Sequence, residues 1–184
     1  MAKRETDELK RQLRADKATT KPDYRNGLST GSTLLNLACS GRPDVGFLPG
    51  YLYFIVGDSN SGKTFLSLTC LAEAANSPKF ANYRFVYDGP EYGALMDMVK
   101  FFGQKMVDRL EPPGKDTDEQ PNHSATVEEY YYHLDDLVND GRPFIDVLDS
   151  MDALDSEDAA TKFQEQKVAY RKGREVPGSY GDGK

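Results

Sequence analysis

Positive charge, cysteine and long apolar runs are all scarce in this sequence of 184 residues. The 30 acidic side chains outnumber the 23 basic ones and give a net charge of −7 at pH 7. That balance disfavours passive electrostatic binding of the whole chain to DNA or to an anionic membrane. The two cysteines, Cys39 and Cys70, lack metal-like spacing, and we expect small buried thiols in a reducing compartment. No apolar run is long enough to span a bilayer and no signal peptide is visible, so a soluble, intracellular protein is expected.

What the sequence does contain is a complete phosphate-binding pattern, G-x-x-x-x-G-K-[ST], at residues 57 to 64. Its members are Gly57, Asp58, Ser59, Asn60, Ser61, Gly62, Lys63 and Thr64. The apolar run Tyr51–Val56 before the pattern predicts a buried strand, and the run from Thr64 to Ala75 after it predicts a helix. Strand, loop and helix in this order are the context in which the pattern binds nucleotide phosphates.

The residue types in this loop suit a triphosphate and its metal ion. Gly57 and Gly62 allow backbone angles and a close approach that a Cβ atom would block. Main-chain N–H groups of the loop and of the helix start can then converge on an anion. Lys63 brings a mobile positive charge to the outer phosphates, and the Thr64 hydroxyl is a ligand for Mg²⁺. The expected cofactors are therefore ATP and Mg²⁺.

The rest of the chain predicts strands that alternate with helices, which is typical of an α/β domain with a mostly parallel sheet and flanking helices. The predicted strands are Tyr83–Tyr87, Met106–Leu110 and Phe144–Leu148. The predicted helices are Leu28–Ala38, Ala94–Phe102 and a helix that Thr126 opens in capping-box form and that ends near Gly141. The stretch Glu111–Ser124 predicts a mobile surface loop. Residues 1 to 25 form a charged arm, in which Glu5–Lys17 is either a partner-docking helix or a solvated segment.

Carboxylates follow two of the predicted strands, at the edge where open α/β sheets bind ligands. Asp149 ends the strand Phe144–Leu148, and we expect it to hold Mg²⁺ through water opposite Thr64. Asp88 and Glu91 follow the strand Tyr83–Tyr87. Both are candidates to orient or deprotonate water, and Glu91 is preferred.

Three other polar residues have no clear place in this scheme. Asp146 lies inside a predicted buried strand, where a carboxylate is costly unless it is paired or faces a polar groove. The two histidines, His123 and His133, show no partner in the sequence, and no role is predicted for them.

The order of these motifs resembles the core of RecA-type recombinases, most closely their phage branch. The resemblance starts near Gly27 and rests on four ordered elements, which are Ser29–Ser32 with the helix after it, Leu48–Gly50 leading into the phosphate loop, Phe85–Glu91, and the Walker B stretch Leu148–Leu154. It implies a P-loop NTPase fold of the RecA type over residues 26 to 155, in which Lys63 and Glu91 are catalytic.

The resemblance also implies a function, that of a DNA-dependent ATPase of homologous recombination and repair. Such proteins bind ATP between adjacent subunits, assemble a filament on single-stranded DNA and promote strand exchange. Residues 156 to 184 lie where the family has its first DNA-contacting loop, and the implied contacts are Arg171, Lys172, Arg174 and Lys184. A solvated charged helix with a frayed tail is the alternative for this segment. The implied location is the cytoplasm of a bacterial cell or of a phage-infected bacterium.

Beyond this point the family continues with a further helix, a strand between the Walker A and Walker B strands, and a second DNA loop. We therefore expect the C-terminal part of the core to be missing and the chain to bind nucleotide but to be poor at hydrolysis and strand exchange. Two other functions stay open. One is a helicase-like or ring-forming ATPase with the same core, and the other is a non-catalytic fragment that docks on full-length recombinase subunits.

Overall fold

The computed structural model describes residues 23–89, 96–115 and 117–172. In chain order the helices and strands are α1 (Thr33–Ser40), α2 (Lys63–Asn76), β1 (Arg84–Asp88), α3 (Met98–Phe102), α4 (Gln104–Val107), β2 (Leu110–Glu111), β3 (Gly114–Lys115), β4 (Pro121–Asn122), α5 (Val127–Asp140), β5 (Phe144–Leu148) and α6 (Glu157–Arg171). Short 3₁₀ turns cover Pro78–Phe80 and Met151–Ala153. Within these ranges, no helix combines the length and apolar character that crossing a bilayer requires. The chain divides into two units between Ala74 and Ala75.

A polar network at the entry of α1 organises the first unit. The Ser32 hydroxyl accepts a hydrogen bond from the N–H of Leu35 and caps the helix, and Gly41 ends it in the left-handed conformation. The side-chain oxygen of buried Asn36 accepts hydrogen bonds from the N–H and the hydroxyl of Thr30, at 2.9 and 2.8 Å. The helix predicted near Leu28–Ala38 is thereby confirmed, with its start moved to residue 33.

The two cysteines lie in different environments. Cys70, on α2, is buried as expected, and burial raises the pKa of its thiol to about 12. Cys39 is exposed on α1, so the prediction of a buried thiol is wrong for this residue. It lies on the outer face of a short helix whose apolar residues Leu34 and Leu37 are also exposed.

The segment Tyr51–Val56, predicted as a buried strand, is neither a strand nor buried. It pairs with no strand in the described ranges. Four of its side chains are largely exposed, with fractions of 67% for Tyr51, 71% for Leu52, 69% for Phe54 and 90% for Val56. Aromatic and β-branched residues give a segment the composition of a strand, but a ladder also needs a neighbour that accepts and donates main-chain hydrogen bonds.

A three-stranded parallel sheet forms the centre of the second unit, in the order β2-β1-β5. Each residue of β1 pairs with one of β5, from Arg84 opposite Phe144 to Asp88 opposite Leu148. Phe85 is fully buried in β1. The strands predicted at 83–87 and 144–148 are confirmed, and the chain is an α/β protein with a small, mostly parallel sheet and flanking helices.

The region between β1 and α5 differs most from expectation. The predicted strand Met106–Leu110 is wrong, because this stretch contains the end of α4 and only the first residue of β2. The stretch Glu111–Ser124, predicted as a mobile loop, contains the antiparallel pair β3–β4 and ends in a buried serine. Helix α3 ends at Gly103 as predicted, and residues 90–95 lie outside the described ranges.

Helix α5 begins where its sequence predicts. The Thr126 hydroxyl accepts from the N–H of Glu129, and the Glu129 carboxylate accepts from the N–H of Thr126, which completes a capping box. Gly141 ends the helix in the left-handed conformation. The N-terminal segment Glu5–Lys17, by contrast, lies outside the described residues.

Candidate functional site

The phosphate loop runs directly into a helix. The N–H of Ser61 donates to the carbonyl of Asp58 at 3.2 Å, which closes a turn. Gly62 follows with φ of +91°, a left-handed conformation that glycine adopts without steric cost. Helix α2 then begins at Lys63, and its first turn includes a hydrogen bond from the N–H of Leu66 to the carbonyl of Gly62 at 2.9 Å. The sequence prediction of a helix after the loop is confirmed, and this arrangement offers main-chain N–H groups to an anion.

Lys63 folds back across its own loop. Its ammonium donates to the carbonyls of Gly57 and Asp58, both at 2.9 Å. A Cβ atom at Gly57 would lie 2.7 Å from the hydroxyl of Ser61, so a larger residue there would require the serine side chain to move. Residues 57 to 62 are exposed, and Lys63 and Thr64 are half-buried. The loop is thus open to a ligand and carries its cation beside the main chain.

In the second unit, a buried carboxylate ends β1. Asp88 has no exposed surface. Its oxygen Oδ1 accepts from the N–H of Ser124 at 3.1 Å, and Oδ2 accepts from the Ser124 hydroxyl. Nδ1 of His123 lies 3.2 Å from Oδ1. These partners stabilise a charge that would otherwise be costly to bury, and they occupy the oxygens of Asp88. Glu91, the preferred candidate, lies outside the described residues.

His133 extends the cluster through Ser124. Its Nδ1 lies 2.9 Å from the Ser124 hydroxyl. Because that hydroxyl gives its proton to Asp88, Nδ1 of His133 must be the donor in the second bond. The order is aspartate, serine, histidine, whereas an activated nucleophile needs the histidine between the other two. Ser124 is also only 1% exposed, so the cluster supports structure and not nucleophilic attack.

The carboxyl ends of β1 and β5 meet as the parallel register requires. The N–H of Asp149 donates to the carbonyl of Asp88 at 2.7 Å. The Tyr87 hydroxyl donates to Oδ2 of Asp149 at 2.8 Å and orients this carboxylate. Sequence reasoning brought Asp88 and Asp149 together correctly. It missed the roles of Tyr87, Ser124 and both histidines, because their contacts join residues nine to 62 positions apart and leave no local pattern.

Asp146, the unexplained carboxylate of β5, has a partner. The hydroxyl of Tyr130, on α5, donates to its Oδ2 at 2.9 Å. Burial still raises the pKa of Asp146 to about 6, against the opposing effect of this hydrogen bond. Burial and the nearby Asp146 also raise the pKa of Tyr130, so its hydroxyl stays a donor. The polar partner that the sequence left open for Asp146 is therefore the hydroxyl of one buried tyrosine.

The oxygen donors proposed for Mg²⁺ are of the right chemistry. Asp149 offers a carboxylate and Thr64 a hydroxyl, and Mg²⁺ prefers such oxygen ligands. In the described residues no three His, Cys, Asp or Glu side chains form a group able to hold a metal.

The residues implied for DNA contact are only partly described. Arg171 ends α6 and Lys172 follows it, and both are exposed. Arg174 and Lys184 lie outside the described residues. Helix α6 also exposes Phe163 and Val168, which fits a surface contact as well as a solvated helix.

Comparison with known proteins finds no match among family models, curated proteins or solved structures. The likeness to RecA-type recombinases therefore rests on the motifs of the chain itself.

Proposed function

We propose that this chain binds Mg-ATP at Gly57–Thr64 and acts as an ATPase of the RecA recombinase class. The observation that carries the proposal is a complete phosphate-binding pattern that folds as an exposed turn with helix α2 starting at its lysine. Of the context that the pattern needs, the helix after the loop is present and the strand before it is not.

Lys63 is the residue that would meet the outer phosphates. Its ammonium is already held over the loop by the carbonyls of Gly57 and Asp58, at 2.9 Å each. A triphosphate in the loop would replace these neutral acceptors with charged oxygens, which make stronger hydrogen bonds. The main-chain N–H groups at the start of α2 would bind the same phosphates.

The carboxylates of the second unit supply the remaining roles. Thr64 is the proposed hydroxyl ligand of Mg²⁺ in the first unit, and Asp149, oriented by Tyr87, is the proposed carboxylate ligand in the second. The bound ion neutralises charge on the phosphates during transfer. Glu91 would orient or deprotonate the attacking water, since the oxygens of Asp88 are occupied by Ser124 and His123.

Single-stranded DNA is the proposed polymer partner, with self-association of subunits into a filament or ring. The proposed contacts are Arg171 and Lys172 at the end of α6, together with Arg174 and Lys184. Since the chain carries a net charge of −7, binding depends on a local group of cations and not on the overall charge.

The test is ATP turnover by the purified chain with and without single-stranded DNA. Saturable nucleotide binding with slow turnover supports the proposal, and Lys63→Ala should weaken the binding at least tenfold and remove the turnover. Lys79→Ala, which removes an exposed lysine outside the loop, is the matched control and should change neither. A chain whose turnover persists in Lys63→Ala would contradict the assignment of the loop.

A second candidate is a non-catalytic protein that docks on recombinase subunits. The exposed apolar run Tyr51–Val56 favours it, because large exposed apolar segments commonly mark protein contacts. Docking that survives Lys63→Ala, in a chain that turns over no ATP, would favour this candidate over the ATPase.

A further inference from the structure

We propose that strand β5 is the contact through which two copies of this chain form a dimer. In this dimer the two β5 strands run antiparallel about a two-fold axis and join the two sheets. The contact needs neither nucleotide nor DNA, so it goes beyond the proposed function.

The two edges of the parallel sheet differ in length. In the order β2-β1-β5, the described part of the chain gives β5 a single ladder partner, which is β1. The other edge strand, β2, has only two residues, and so short a strand offers little to pair with. β5 has five residues, Phe144–Leu148, and contains neither lysine nor proline, which commonly protect sheet edges. It is therefore the edge that can accept another strand.

The main-chain groups of alternate β5 residues point away from β1. The N–H of Arg84 donates to the carbonyl of Pro143 at 2.9 Å, and the N–H of Asp149 donates to the carbonyl of Asp88 at 2.7 Å. In the parallel register of β1 and β5, these two bonds show that the odd-numbered residues of β5 turn their N–H and C=O groups to β1. The even-numbered residues therefore turn theirs to the open edge.

A second copy of β5 matches this edge. When two copies run antiparallel with Ile145 opposite Ile145, Phe144 of each strand lies opposite Asp146 of the other. Both of these residues turn their main-chain groups to the edge, so each such pair exchanges both of its N–H···O bonds. A register centred on Asp146 is disfavoured, because it places two carboxylates directly opposite each other. The Asp146 carboxylate itself accepts from the Tyr130 hydroxyl, which leaves the N–H groups of the edge to the second strand.

Apolar side chains of β5 contribute to the same contact. Those of Phe144, Ile145 and Val147 are half-buried, so a neighbouring strand removes more of their surface from water. One short strand buries less than the standard interface area of about 1,600 Å², so the dimer is weak and depends on concentration. A two-fold contact also closes on itself, so it yields dimers and is distinct from the proposed filament or ring.

The test measures mass and amide hydrogen exchange in the whole chain without nucleotide, along a dilution series. Analytical ultracentrifugation gives the dimer fraction, and NMR gives the exchange rate of each β5 amide. We expect exchange at Phe144 and Asp146 to slow as the dimer forms. Ile145 and Val147, whose N–H groups bond to β1, are the internal control and should exchange slowly at every concentration.

Two substitutions of Phe144 separate the effect of its N–H from that of its ring. Phe144→Pro removes the N–H that points to the open edge and leaves the bonds to β1 in place, and proline is tolerated at the first residue of a strand. Phe144→Ala removes the ring and keeps the N–H. Since both copies lose a hydrogen bond across the contact, dimerisation should be roughly tenfold weaker in Phe144→Pro than in Phe144→Ala.

A chain that stays monomeric at every concentration, or a dimer in which Phe144 and Asp146 still exchange fast, overturns the proposal. Slow exchange at these two amides that dilution leaves unchanged also overturns it, because another segment of the same chain would then cover the edge. The exchange pattern of the unmodified chain decides the matter even where Phe144→Pro does not fold. A chain that dimerises through β5 but binds no ATP would refute the proposed function alone.

Discussion

The buried carboxyl of Asp146 makes the free energy of unfolding fall as the pH rises. Burial raises the pKa of its carboxyl from 3.8 to about 6, whereas aspartates that are paired with cations have lowered values. The folded chain therefore holds this proton more tightly than the unfolded chain does. The resulting stabilisation is complete below the unfolded pKa and is lost as the pH rises through the folded one.

The predicted effect of Asp146→Asn follows from this sign. The asparagine oxygen can still accept from the Tyr130 hydroxyl, but the side chain is never charged. We expect the variant to gain up to about 3 kcal/mol of unfolding free energy at pH 7.5 relative to pH 4, when each is compared with the unmodified chain. Urea unfolding at the two pH values measures the difference. Asp136→Asn, at an exposed position of α5, should show no such gain, and an equal gain there would contradict the account.

At the scale of elements, two phenylalanines in predicted strands differ in how much of their side chains is exposed. Phe54 lies in the segment that reads as a buried strand, yet it is 69% exposed. Phe85, on β1, has no exposed surface, and the guanidinium of Arg109 lies 3.8 Å from the centre of its ring. We expect Phe54→Ala to change the unfolding free energy by less than about 0.5 kcal/mol and Phe85→Ala to lower it by about 3 to 5 kcal/mol. Equal losses in urea unfolding would show that residues 51–56 are buried after all.

Most helices and the two longer strands could be predicted because their signals are local. Thr126 with Glu129, and the glycine after α5, specify the ends of that helix within a few residues of chain. The apolar run of β5 is likewise visible in sequence, and its partner β1 is present to pair with it. The run Tyr51–Val56 has the same composition, but pairing is decided by a neighbour, which composition does not reveal.

The candidate site likewise has one part that a local sequence pattern predicts and one part that depends on contacts between distant residues. The phosphate loop is contained in eight consecutive residues, so its turn, its left-handed Gly62 and the start of α2 follow from the pattern. The cluster around Asp88 depends on Ser124 and on two histidines brought back by the β3–β4 pair and by α5. Its contacts exist only in the folded chain, so the sequence offered no reason to assign the histidines a role.

At the scale of the whole molecule, the net charge affects how the chain could bind a nucleotide. A chain of net charge −7 repels a triphosphate at long range, and salt screens that repulsion beyond about 10 Å. In the proposed function, affinity for the nucleotide would come from short contacts, namely the N–H groups at the start of α2 and the Lys63 ammonium. A hydrogen bond between charged groups contributes about 1.5 to 3 kcal/mol, so loss of Lys63 should weaken binding tenfold or more.

Titration calorimetry with Mg²⁺ and a slowly hydrolysed ATP analogue tests this central claim most directly. The account predicts saturable binding at one site per chain, at least tenfold weaker in Lys63→Ala and unchanged in Lys79→Ala. A chain that shows no saturable heat of binding, or a Lys63→Ala variant that binds as tightly as the unmodified chain, would contradict it.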